Sequence, residues 1–168
     1  MSFCLEFALV NRKIMLERVQ KAITKTLKQK VSFDWKNLIN RNHNHAEFSH
    51  GMMIHRKGAT HAEKGMMGVI PGNMRDGSFI VEGQGCEDAL WSSSHGAGRV
   101  MSRKKIREQV SLSDFKDSMK GITVKIEEGT IDESPFAYKD VFEVIRIQED
   151  AGLIKTIHYL KPIINCKG

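Results

Sequence analysis

The run Ser93-Ser94-His95-Gly96-Ala97-Gly98-Arg99-Val100-Met101-Ser102-Arg103 sets one imidazole among small residues, directly ahead of two arginines spaced four apart. Small residues let a backbone approach a ligand closely and present N–H groups to oxyanions. If a helix begins inside the run, Arg99 and Arg103 share a face, one turn apart. Planar guanidinium forks match phosphate geometry, and a neutral histidine can act as nucleophile, base or metal ligand. The run reads as a phosphate site with a reactive histidine at its mouth. The competing reading is a glycine-rich turn before a basic helix, with a histidine that merely caps it.

Asn40-Arg41-Asn42-His43-Asn44-His45-Ala46-Glu47 brings three imidazole or carboxylate groups within five residues, a composition open to a metal site or to a polar surface loop. In His55-Arg56-Lys57-Gly58-Ala59-Thr60, adjacent Arg56 and Lys57 point to opposite faces if the segment is extended. One can then meet a phosphate while the other meets solvent or RNA; a pair of ordinary surface charges is the alternative. Ile70-Pro71-Gly72-Asn73-Met74-Arg75-Asp76-Gly77-Ser78-Phe79-Ile80 reads as a Pro-Gly hairpin turn whose exposed N–H groups and short polar side chains suit a nucleobase or ribose. Asn73 can both donate and accept hydrogen bonds there.

The elements that must position these groups follow from periodicity. Phe3, Phe7, Val10, Ile14, Val19, Ile23 and Leu27 recur at helical spacing and predict one amphipathic helix over Phe3–Lys28. A short extended stretch at Leu38–Asn40 leads into a polar, histidine-rich loop. Strands are expected at Met52–Ile54, Gly68–Ile70, Ser78–Val81 and Ile122–Ile126, with one or two more in Leu153–Ile164. Helices are expected over Gly98–Gln109, over Leu112–Met119 with Ser111 or Ser113 as cap, and over Lys139–Asp150, closed by Gly152. Strands and helices mix without a regular βαβ period, which predicts an α+β fold.

The 168 residues suit one domain. Apolar content of 40% and charged content of 27% are ordinary for a globular protein. A formal charge of +6 and a pI near 9.3 fit a polyanionic partner. Cys4, Cys86 and Cys166 are odd in number and without CxxC spacing, which argues against a disulfide framework or zinc finger and makes a reducing cytoplasm the expected location. No stretch approaches the roughly 20 apolar residues of a membrane span, and Glu6 interrupts the only apolar start, so no signal peptide is expected.

Taken together, Ser94–Arg103, His43-Asn44 followed by His55–Thr60, the Ile70–Ile80 turn, Ala137-Tyr138-Lys139-Asp140 and the terminal Lys167-Gly168 resemble the RtcB-type RNA ligases. These enzymes use GTP to seal RNA 3′-phosphate or 2′,3′-cyclic phosphate ends to 5′-hydroxyl ends. The resemblance implies that His95 attacks the α-phosphate of GTP and carries GMP through a P–N bond. It makes Arg99 and Arg103 holders of phosphate or sulfate-like groups, Lys57 an active-site cation, His43 a manganese ligand and Asn44 a contact to the nucleotide phosphate. Pro71, Gly72, Asn73, Ser78, Ala97 and Gly98 become nucleotide-binding, and Tyr138 and Lys167 contact guanine. A lysine aimed at a carbonyl oxygen favours guanine over adenine, which offers an amino group there. His45 and Glu47 acquire no role, and His45, His50 and His61 are expected to be solvated. Asn73 stands where the family usually has serine, and Arg75 where it usually has glycine. If that glycine has positive φ, Arg75 costs roughly 1 kcal/mol and the loop differs.

The resemblance starts at Ala8, Asn11-Arg12 and Met15 and runs to Gly168, treating 1–168 as a single C-terminal portion of the RtcB-type fold. Longer members supply an aspartate and a cysteine near the start, then one histidine in a GNHF-like run and another in an HSGSRG-like run, and this sequence has none of these. A truncated or split chain is therefore expected, competent when an N-terminal complementing chain completes the manganese site. Such RNA ends, GTP and an archease-like activator are its implied partners. The alternative is a non-catalytic guanine-nucleotide or RNA-binding remnant. An unrelated phosphohistidine carrier would account for His95 but for neither His43-Asn44 nor Lys167.

Overall fold

Helix α1 (Ser2–Leu27) ends where Lys28 turns left-handed (φ 52°) in the computed structural model, which describes residues 1–166. The predicted helix is present, but it buries no residue: Phe3, Phe7, Val10 and Ile14 all face outward. Polar tethers hold it instead. Arg12 donates to the side chains of Asn40 (2.7 Å) and Asn42 (3.3 Å), and Gln20 donates to the Val31 carbonyl (2.7 Å).

The histidine-rich segment is a strand rather than the expected loop. β1 (Asn44–Ser49) pairs antiparallel with β2 (Met52–Lys57), so that His45 lies opposite Arg56. The connection is two residues, His50 and Gly51, both at positive φ (52° and 76°), the combination that matches strand twist in the tightest hairpins. Asn and His have poor strand propensity, so the partner strand decides the conformation. β3 (Ala59–His61) then pairs with β6 (Ser92–Ser94).

β4 (Met67–Pro71) and β5 (Ser78–Gly83) form the expected Pro-Gly hairpin, and β8 (Ile154–Leu160) completes a three-stranded antiparallel sheet in the order β4-β5-β8. Alternate residues Phe79 and Val81 of β5 face inward, as a sheet covered on one side requires. They meet Ile70, Ile154 and, from α4 (Val141–Asp150), Val141 and Ile145 in the main core. Asp140 caps α4 by accepting from the Phe142 N–H (2.8 Å).

The basic helix α2 is shorter than expected, Arg103–Gln109, with Ser102 as N-cap accepting from the Lys105 N–H. Gly98 is left-handed (φ 78°), and the backbone around Arg99 is bridged to Tyr138: Val100 N–H donates to Ala137 and Lys139 N–H to Gly98. Those bonds consume groups a helix would use, so Arg99 and Arg103 do not share a helical face. α3 (Leu112–Ser118) is capped by Ser111, one of the two expected serines. Phe115 and Met119 join Met74 in a second small core. The strand predicted over Ile122–Ile126 shrinks to β7 (Thr123–Val124), parallel to β9 (Ile164–Asn165). The architecture is α+β, and no helix among the described residues is long and apolar enough to cross a membrane.

Candidate functional site

A cleft of about 650 Å³ opens between the β4–β5 turn and the loop after β6. Pro71, Gly72, Asn73 and Ser78 form one wall; His95, Ala97, Gly98, Arg99 and Arg103 form the other, with Tyr138 and Glu133 at the end. The walls are stitched together where Ala97 N–H donates to the Pro71 carbonyl (3.0 Å). Ten residues singled out from sequence thus line one cleft.

His95 is exposed at the mouth, and its Nδ1 lies 2.7 Å from the Gly58 carbonyl oxygen. A carbonyl can only accept, so Nδ1 carries the hydrogen and the lone pair of the neutral ring is on Nε2. Gly58 is left-handed (φ 71°) and lies against this ring, an added Cβ falling 3.5 Å from it. Gly58 therefore turns its carbonyl toward the imidazole at a conformation other residues resist. The His43 ring stacks on His95 (centroids 4.9 Å apart, planes within 8°). Burial, then the neighbouring His95 and Arg12 charges, hold the His43 pKa below its ordinary value.

Arg99 donates to the carbonyls of Met101 (3.1 Å) and Asp132 (2.7 Å) and lies over the Tyr138 ring (5.1 Å to the centroid). Arg103 donates to the Asp132 and Glu133 carboxylates, and Arg107 to Asp132 (3.0 Å). Tyr138 O–H donates to Glu133 (2.6 Å). Burial and then the Glu133 carboxylate raise the Tyr138 pKa, so the phenol keeps its proton. An incoming anion has to share these arginines with an acidic pair. Asp132 and Glu133 were not singled out from sequence; the signal was an adjacent acidic pair five or six residues before Tyr138, across from a run of arginines.

Asn73 uses its side chain to hold the turn, accepting from the N–H groups of Arg75 and Asp76 (2.9 Å each) and donating to Asp76 (2.7 Å). Arg75 is not at positive φ, and its guanidinium pairs with Asp76, so the expected strain at that position is absent. His43 and Asn44 line a separate cavity against α1, beside the main cleft. Lys57 is exposed outside the cleft lining, next to Gly58. Lys167 lies outside the described residues.

The expectation that His45 and His61 are solvated is overturned. His45 is 3% exposed and its Nε2 meets that of His61 at 3.0 Å, because β1 pairing turns His45 inward. His50, exposed as expected, stacks on Trp91. Arg56 and Lys57 do take opposite faces, and Arg56 is the buried one.

For manganese at His43, the donors are too few. Among the described residues the only convergent group of three His, Cys, Asp or Glu side chains is His45, Glu47 and His61, and His43 is not in it. A catalytic ion usually takes several protein ligands, and His43 offers one.

The comparisons with known proteins agree on one family. A family model described as tRNA-splicing ligase RtcB matches residues 1–168. The RNA-splicing ligase RtcB of Escherichia coli K12 is 38% identical over 170 residues, covering 96% of this chain and 41% of that protein. The tRNA-splicing ligase RtcB of Nanoarchaeum equitans is 31% identical over 196 residues, covering all of this chain and 41% of that protein. The RNA-splicing ligase RtcB of Mycobacterium tuberculosis is 36% identical over 132 residues, covering 68% of this chain and 31% of that protein. The chain thus spans 41% or less of the length of these relatives.

Proposed function

Since this chain belongs to the tRNA-splicing ligase RtcB family, we propose that its cleft takes guanine nucleotide and that His95 is the group that carries GMP during RNA ligation. The observation that carries this reading is the Gly58 carbonyl on His95 Nδ1, which leaves Nε2 as the basic nitrogen at the mouth of the cleft. In the first step Nε2 attacks the α-phosphorus of GTP, a P–N bond forms, the P–O bond to the β-phosphate breaks, and pyrophosphate leaves. Developing positive charge on the ring is shared with the Gly58 carbonyl through Nδ1–H. Arg99 and Arg103 offer guanidinium groups to the phosphates, and the small residues Gly96, Ala97 and Gly98 in the cleft wall leave room for a phosphate to come close to the backbone.

In the second step an RNA 3′-phosphate oxygen attacks the same phosphorus, the P–N bond breaks and His95 regains its lone pair. Attack by a 5′-hydroxyl on the activated RNA phosphate then releases GMP. Tyr138 offers a ring face at the end of the cleft for guanine, with Lys167 as the proposed contact to its carbonyl oxygen. His43 alone would supply one ligand to Mn²⁺, short of what a catalytic ion needs. The remaining ligands would have to come from outside the described residues, as from a complementing N-terminal chain, and none of the steps above is assigned to the ion.

The test is intact-protein mass after incubation with GTP and Mn²⁺, alone and with a complementing chain, beside His95→Ala. A GMP-sized adduct that vanishes in the variant is expected. Retained GTP binding without any adduct under either condition would overturn the catalytic reading and leave a nucleotide-binding module.

A further inference from the structure

We propose that His45, Glu47 and His61 form a three-ligand zinc-type metal site with an open fourth position, separate from the His43–His95 centre, that clasps the β1–β2 hairpin to the β3–β6 pair. The three ligand atoms converge: His45 Nε2 to His61 Nε2 is 3.0 Å, His61 Nε2 to Glu47 Oε1 is 3.1 Å, and His45 Nε2 to Glu47 Oε1 is 3.8 Å. Ligands at about 2.0–2.1 Å from a tetrahedral zinc stand roughly 3.3 Å from one another, inside that range.

The protons make the case stronger than the distances. His61 Nδ1 faces the Glu63 carboxylate at 3.0 and 3.2 Å. Carboxylate oxygens accept, so Nδ1 holds a hydrogen, and whenever the ring carries only that one its Nε2 lone pair faces Glu47 Oε1. Two acceptors then confront one another at 3.1 Å. His45 can donate Nε2–H to His61, but its Nδ1, already buried without a partner, is then a dry lone pair. A cation at the centre satisfies both Nε2 lone pairs and the carboxylate oxygen together, and frees His45 Nδ1 to hold the hydrogen. The Glu63–His61 contact is the outer-shell carboxylate that orients metal-bound histidines.

Charge also leaves room for a cation. The buried Arg56 guanidinium pairs with Glu47 and lies 3.7 Å from Glu63, so one positive charge faces two negative ones. Two imidazoles and one carboxylate suit zinc better than manganese or magnesium, which favour oxygen. The site draws ligands from β1 and β3. His43 precedes β1, and His95 follows β6, the partner of β3. An ion here would thus fix the spacing of the two strands that present the stacked His43 and His95 rings. The inference does not depend on nucleotide transfer.

The test is Zn²⁺ titration of the metal-stripped chain against a chromophoric chelator, with Co²⁺ as a spectroscopic probe. One ion per chain is expected, binding at micromolar or lower concentration, with the visible bands of tetrahedral Co²⁺. His61→Ala should abolish binding, while Glu63→Gln, which keeps all three ligands, should weaken it 10–100-fold. His43→Ala and His95→Ala should leave it unchanged. Circular dichroism checks that each variant folds. No binding at micromolar Zn²⁺, binding indifferent to both His61→Ala and Glu63→Gln, or binding lost with His43→Ala or His95→Ala would each overturn the proposal.

Discussion

Replacing Asp132 by asparagine should loosen the arginine cluster at the cleft in a pH-dependent way. The Asp132 side chain is 2% exposed, while Arg103 and Arg107, which donate to it, are 65% and 56% exposed. Burial acts to raise the Asp132 pKa, but hydrogen bonds from Arg107 and Arg103 outweigh it and hold the carboxyl below its ordinary 3.8. Asparagine keeps the shape and can accept from one arginine, but its NH₂ then confronts the donors of the other. The arginines rehydrate, so the lost ion pairs cost at most about 1 kcal/mol each. The buried, unpaired amide costs about 1–3 kcal/mol. A net loss near 2 kcal/mol lowers the melting temperature by roughly 4–8 °C for a domain of this size. Because the folded pKa lies below the unfolded one, the wild-type advantage is full above about pH 4 and disappears as pH falls through the folded value. Urea midpoints of both proteins, measured from pH 7 downward, test this. Equal midpoints at pH 7, or a gap that persists undiminished in acid, would refute the reasoning.

Gly72→Ala should destabilise the cleft wall by about 1–3 kcal/mol through overpacking. Its Cβ would fall 2.8 and 2.9 Å from the buried Val141 side chain and 3.0 Å from the Gly77 carbonyl oxygen. Gly129→Ala, which meets nothing within 4 Å, is the control and should shift the urea midpoint little. Because Phe3, Phe7, Val10 and Ile14 are all exposed on α1, the chain is expected to self-associate through this helix, and Phe7→Glu should suppress that association in sedimentation or light scattering. Stability should stay within about 0.5 kcal/mol, since Phe7 is 67% exposed on a helix with no buried residue. A matching loss of melting temperature would mean that this face is packed.

Much of the local structure was legible because its causes are local. Helical spacing marked α1, Ser111 marked the start of α3, and Pro71-Gly72 marked the β4–β5 hairpin. The His50-Gly51 turn was equally local and was missed, because the polar residues around it hide the strand alternation. Strand β1 therefore read as a loop, and His45 as solvated.

Residue types and their spacing were enough to show which chemistry the chain holds: an imidazole among small residues, two arginines, a turn rich in backbone donors, and opposite faces for Arg56 and Lys57. What each group meets is set by packing between distant segments. The Gly58 carbonyl that sets the His95 tautomer is 37 residues away, and the acid that gathers Arg103 is 29 residues away. Side-chain direction follows from dihedrals a few residues long, whereas proton position and charge pairing follow from which surfaces sheet register and burial press together.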